Sequence, residues 1–234
     1  MFLRRFSRLT KVSRQHRCHA IDRSKRNPRK LFLEVLEDRT LPSTLTVTNT
    51  LDSGPGSLRY EIAQAADGDT INFDPSLQGM FIILFTGQLE INKSLNIVGL
   101  GADQLGVSAA NLSRVFKIDP GDVVSISGLN IESGQTVGDG TNDGSNEGGG
   151  IFNSGILTLS GDFISDSQAI GMAGTSGNSI APQGGKGGDA LGGGIFNAPG
   201  AMLTLINDDV SFNQANGGAG GNGFGSGSGG SGGQ

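Results

Sequence analysis

The chain has 234 residues, with no tryptophan, one tyrosine, one cysteine and 41 glycines, 31 of them from Gly134 onward. A lone cysteine excludes an internal disulfide framework and a thiolate metal cluster, and no run of about eighteen apolar residues is available to cross a membrane as a helix. The net charge of −5 is segregated: residues 1–30 hold eleven Lys or Arg and one Asp, leaving six basic and 21 acidic side chains for the rest.

Residues 1–30 form a basic arm without enough apolar surface to build a core, and disorder is expected there. Such an arm suits attraction to nucleic acid or an anionic membrane, or service as a leader; the leader is the expectation, with no nucleic-acid partner. Residues 31–43, LFLEVLEDRTLPS, hold a short apolar stretch cut by Glu34 and Glu37 and stopped at Pro42. Period-two alternation begins at Thr44 in TLTVTNT and predicts a strand. In GSLRYEIAQAADG the period changes: Ser57 is placed to cap a helix, Leu58, Ile62, Ala65 and Ala66 share one face, and Gly68 is the expected stop. Then follow brief apolar pieces, TINF, MFIILF, QLEI, SLNIVG, VFKI, VVSISG and LNIES, each ended by a turn-forming residue. They predict strands.

The hexapeptide GGGIFN occurs at residues 148–153 and again at 192–197. The match continues beyond it, giving a unit of about twenty-two residues, and VFKIDPGDVVSISGLNIESGQ fits the same frame. In that alignment Phe116 meets Ile151 and Ile195, Val124 meets Leu157 and Leu203, and Leu129 meets Phe163 and Val210. A unit this short, too small to bury its own apolar side, predicts a solenoid in which each coil stacks on the next. The expected fold is all-β: a right-handed parallel β-helix with three short strands per coil, a short N-terminal capping helix and about six coils over residues 44–216. Gly148, Gly149, Gly150, Gly192, Gly193 and Gly194 are expected at turns of positive φ, with Asn153 and Asn197 as turn or ladder residues. Residues 170–191 read as a Gly-rich loop and residues 217–234 as a flexible tail. A solenoid needs a polar cap at its far end and none is visible in the sequence, so the expectation is an incomplete chain or a short product of a longer gene design.

Three resemblances agree with this outline. Leu33, Glu34, Leu36, Glu37, Arg39, Leu41 and Ser43 resemble the LE-x-LE-x-R-x-L-x-S motif of large exported proteins of planctomycete-type bacteria, which implies export. Ser57, Leu58, Arg59, Ile62, Ala65, Gly68, Asp69, Thr70, Ile71 and Phe73 resemble the opening segment of exported bacterial β-helices. GGGI at 148–151 and 192–195 is similar to the first half of the polymorphic outer-membrane protein repeat. The second half departs, running from Phe163 to Asp166 and from Val210 to Asn213. Together they imply an exported, cell-surface or extracellular protein; the leading expectation is a noncatalytic module there, with a glycan or another envelope protein as its candidate partner.

The same pectin-lyase-like fold implies an alternative, a polysaccharide lyase or hydrolase. Asp208 and Asp209 supply adjacent carboxylates, while the only histidines, His16 and His19, lie in the arm; catalytic residues stay unassigned. A lyase base would come from Lys93, Arg114, Lys117 or Lys186, of which Lys117 sits in a strand facing outward. GGKGGDALG at 184–192 and GGAGGNGFG at 217–225 fit a calcium nonapeptide, which makes calcium the one cofactor candidate. Those sites need consecutive copies, and these are thirty-three residues apart. No cofactor is expected.

Overall fold

A computed structural model of the chain describes residues 41–138 and 146–234. The basic arm, most of the export-type motif, Cys18 and both histidines lie outside the described residues.

The chain runs in circuits. The first holds β1 (Thr44–Val47) and α1 (Leu58–Gln64); the second holds β2 (Thr70–Phe73), a 3-10 turn at Pro75–Leu77, β3 (Met80–Ile83) and β4 (Leu89–Ile91). The third adds β5 (Leu95–Val98), β6 (Leu105–Ser108) and β7 (Phe116–Ile118), and the fourth adds β8 (Val123–Ser127), β9 (Asn130–Glu132), β10 (Gln135–Val137) and β11 (Ile151–Asn153). In the fifth are β12 (Ile156–Ser160), β13 (Phe163–Ser165), β14 (Gln168–Ile170) and β15 (Ile195–Asn197), and in the sixth β16 (Met202–Ile206), β17 (Asp209–Ser211) and β18 (Gln214–Asn216). The expected three strands per circuit hold in the second and third circuits; the fourth and fifth add a fourth short strand, and the sixth again holds three.

Every strand pair is parallel. The first sheet collects β1, β2, β5, β8, β12 and β16 in that order, one strand from each of six circuits. A second sheet gathers β3, β6, β9, β13 and β17, a third β4, β7, β11 and β15, and a fourth β10, β14 and β18. The protein is therefore all-β and parallel, with successive circuits stacked.

Stacking puts like on like. In the first sheet Leu45, Ile71, Ile97, Ile126, Leu159 and Leu205 form one inward column. Beside it run Leu95, Val124, Leu157 and Leu203. The second sheet contributes Ile82, Val107, Ile131, Ile164 and Val210. Each fully buried aliphatic side chain is worth about 1.5–3 kcal/mol, and no circuit could bury its own without a neighbour above or below.

Two sequence expectations are corrected here. Leu129 aligns with Asp162 and Asp208, at the corner between the first two sheets, and not with Phe163 and Val210. Helix α1 ends at Gln64, because Ala65 is already extended, well before Gly68. Its Leu58 and Ile62 join the core, the Ser57 side chain accepts from Tyr60 N, and α1 takes the place of further strands in the first circuit.

The Gly-rich segments are built rather than slack. Backbone hydrogen bonds recur every third residue: Gly171, Gly174 and Gly177 N donate to Asn216, Ala219 and Asn222 O, and Gly218, Gly221 and Phe224 N to Gly188, Gly185 and Pro182 O. Gly184, Gly187 and Ala190 N donate to Ser228, Ser231 and Gln234 O. Four extended segments, near 171–178, 182–190, 216–224 and 227–234, thus lie side by side, joined by hydrogen bonds at a three-residue interval. The middle two each touch the other three, and glycines recur in pairs along them, at 184–185, 187–188, 217–218 and 220–221, where a Cβ would overlap a neighbouring carbonyl, as at Gly187 against Gly218 O and Gly221 against Thr175 O. Tail and loop, expected to be flexible, are one hydrogen-bonded bundle: glycine lowers local chain stiffness but also permits this close backbone approach.

Candidate functional site

The repeated hexapeptide divides its work by position. Gly148 and Gly192 have φ of +65° and +64°, whereas Gly149, Gly150, Gly193 and Gly194 are selected by closeness: a Cβ on Gly149 would overlap Gln168 and the Gly193 carbonyl. The two triglycines ladder onto each other, Gly148 N donating to Leu191 O and Ile151 N to Gly194 O. Asn153 and Asn197 are strand residues without positive φ, so of the two roles expected for them the turn is not seen and the ladder is. Asn153, fully buried, donates from Nδ2 to Asn197 Oδ1 at 2.7 Å and to Met202 O at 2.9 Å. These asparagines tie coils together.

Corner side chains repeat that logic. Asp162 accepts from Leu129 N at 2.8 Å, and Asp208 accepts from Asp162 N at 2.8 Å. Ser167 Oγ accepts from Gly134 N, and Asn213 Oδ1 from Ser167 N. Burial pushes the Asp162 carboxyl up to about 6, against the pull of hydrogen bonds from Leu129 and Ser160, with nearby Asp208 adding to the rise. Asp208 is thus committed to backbone donors, Ile206 N included, while Asp209 stands exposed on β17.

The residues of the β-helix-like opening segment also have structural partners. Arg59 holds Asp52 at 2.7 Å and donates to Gly87 O and Gln88 O, pinning the β3–β4 connection. Asp69 accepts from Ser43 N and Ala66 N, which holds its carboxyl below the usual range.

The outward row of the third sheet is different in kind. Register aligns Glu90, Lys117, Phe152 and Phe196 on it. Lys117 bridges Glu90 at 2.5 Å and Asp119 at 3.0 Å, and hydrogen bonding to Glu90 raises its ammonium pKa. Phe152 and Phe196 stack with centroids 5.6 Å apart, and the Arg114 guanidinium lies 5.1 Å from the Phe152 centroid. Arg114 also donates to Gln88 Oε1 and Glu147 O. Gln88 and Glu90 line a groove of about 400 Å3 between α1 and β4, with Arg59, Asn92 and Lys93. Groove, ion pair and aromatic stack form a continuous strip along the stack. The four lysines and arginines weighed as bases are engaged: Lys93 with Ala63 and Ala65 O, Lys186 with Asp189 at 2.9 Å, and Arg114 and Lys117 as above. Sequence spacing singled out the hexapeptide phenylalanines only as strand residues; their alignment with Lys117 and Glu90 follows from register.

Among the described residues, no three His, Cys, Asp or Glu side chains converge on a metal-sized site. In the first calcium-like nonapeptide, Asp189 is bound to Lys186 and to Gln234 N. No described helix is long and apolar enough to cross a membrane. No family model matches the chain, and no curated protein or solved structure is similar enough to match it.

Proposed function

We propose that this chain is a right-handed parallel β-helix exported to the cell surface, where it serves as a noncatalytic module binding an extracellular glycan or envelope protein. The observation that carries the reading is the outer strip of the third sheet. Its phenyl rings and the Glu90–Lys117 pair face away from the core on strands, as a recognition surface requires, and the largely buried Arg114, just before β7, backs the Phe152 ring. The export-type motif and the likeness to exported β-helices support the location. Engagement of Asp208 in backbone hydrogen bonds speaks against its acting as a catalytic acid.

The test is retention of the purified chain on envelope preparations from the producing cells. Replacing Phe152 and Phe196 by alanine and Lys117 by glutamine should weaken retention at least tenfold with folding intact. Undiminished retention, or recovery of the protein from the cytoplasmic fraction alone, overturns the reading. So does turnover of acidic or neutral polysaccharides that vanishes in Asp208→Asn and Asp209→Asn variants.

A further inference from the structure

Across all six strands of the first sheet, register sets Thr44, Thr70, Asn96, Ser125, Thr158 and Thr204 in one outward row. Two residues further along each strand, Thr46, Asn72, Val98, Ser127, Ser160 and Ile206 form a second. Val123, Ile156 and Met202 make a third, shorter row on the last three strands. No position in these rows is buried. None is charged or aromatic, although 21 carboxylates lie beyond residue 30. Of the twelve positions in the two long rows, eight carry a hydroxyl and two an amide. Apart from Ser127, whose Oγ reaches Ile97 O at 3.5 Å, none of these side chains is hydrogen-bonded within the described residues.

Strand geometry puts neighbouring rungs about 4.8 Å apart and the two long rows about 6.7 Å apart, so the hydroxyls form a two-dimensional lattice about 24 Å long. We propose that this face binds the surface of ice. The oxygens of hexagonal ice repeat at comparable intervals, and each is both donor and acceptor, as is each hydroxyl of the rows. The threonine methyls and the flanking aliphatic side chains restrict the orientations of water held between those hydroxyls. Other occupants lack their anchors here. A protein partner is held mainly by aromatic and arginine side chains, and the rows contain neither. A glycan lays its C–H faces on aromatic rings, which stand on the third sheet instead. A charged surface would find no counter-charge. A second copy packed sheet on sheet would bury the hydroxyls of both faces against aliphatic neighbours, where each needs a partner. Crystalline water requires only uncharged hydroxyls at regular spacing. The rows share no residue with the Phe152 strip, so the two readings stand or fall separately.

Uptake of the full chain into slowly grown ice tests this, with an unrelated soluble protein of similar mass as the reference. The chain should enter the ice severalfold more than the reference. Thr158→Lys and Ser125→Lys each set an ammonium in the middle of the lattice, and should reduce uptake about tenfold because the charge loses water that the ice cannot replace. Ser165→Lys on the second sheet should leave uptake unchanged, as should Phe152→Ala with Phe196→Ala on the third. Circular dichroism checks that each variant is folded. Exclusion of the unaltered chain from ice overturns the proposal; retention on crystalline cellulose or chitin in that case would assign the face to a polysaccharide. Full uptake in both lattice variants overturns it too, as does an equal loss in Ser165→Lys. The comparison of the unaltered chain with the reference decides even where a variant misfolds.

Discussion

Asn153 and Asn197, forty-four residues apart in sequence, meet side chain to side chain at 2.7 Å. The buried member also binds Met202 O and accepts from Gly155 N. Asn153→Ala strands those backbone groups at about 1–3 kcal/mol each, and urea unfolding should show a loss of about 3 kcal/mol. Asn197→Ala, at an exposed position, should cost under about 1 kcal/mol. Equal losses at the two sites would count against a ladder held from the buried side.

Asp162 gives stability an unusual pH profile. Its folded pKa, raised to about 6 from 3.8, means the folded state holds that proton more tightly than the unfolded chain. The resulting stabilisation, on the order of 2–3 kcal/mol, is fully present below about pH 4 and lost as pH climbs through about 6. Asp52 and Asp69 act in the opposite sense. Burial pushes Asp52 up, but donors from Arg59, Thr86 and Phe85 outweigh it, and backbone donors from Ala66 and Ser43 hold Asp69 down. Their contribution is present above about pH 4 and disappears on further acidification. The thermal midpoint should therefore peak near pH 4–5, and Asp162→Asn should flatten the fall toward pH 7; an unchanged slope in that variant would assign the effect elsewhere.

The Gly-rich bundle separates two glycine substitutions that look alike in sequence. At Gly187 a methyl group would overlap the Gly218 carbonyl, whereas at Gly229 nothing comes nearer than 3.4 Å. Gly187→Ala should abolish slow amide exchange at Gly171, Gly174 and Gly177, and Gly229→Ala should leave it intact. Exchange at free-chain rates in the unaltered protein would mean the segments are not paired.

Phe212 sits at φ +57° with its side chain 80% exposed, in a corner position that Ser133 and Asp166 fill in the circuits before it. Left-handed backbone costs a bulky residue roughly 1–2 kcal/mol, and Asn tolerates it better. Phe212→Asn should raise unfolding stability by about 1 kcal/mol. A lower stability would show that the exposed ring makes contacts worth more than the strain.

The inward columns were legible in the sequence because identical hexapeptides fixed the frame, so the pairing of Leu157 with Leu203 could be read from alignment alone. Leu129 misled for a physical reason. It is a buried leucine at a corner where the next two circuits place Asp162 and Asp208, and hydrophobicity alone matched it to Phe163, which faces outward. The bundle was illegible for another reason: glycine-rich triplets carry no apolar period, and their order comes from backbone contacts between segments distant in sequence. Of the candidate surfaces, the third-sheet row and the first-sheet hydroxyl rows both depend on cross-circuit register, which side-chain identity does not reveal until the strands are paired.

The corner side chains point one way along the chain. Leu129 N waits 33 residues for Asp162, and Asp162 N a further 46 for Asp208; Gly134 and Ser167 wait likewise for Ser167 and Asn213. Whether it leaves a ribosome or threads a translocation pore amino end first, the polypeptide always carries one unfinished turn at its growing end. Maturation therefore trails emergence by a full lap, and a pause in delivery leaves the newest layer without its latches.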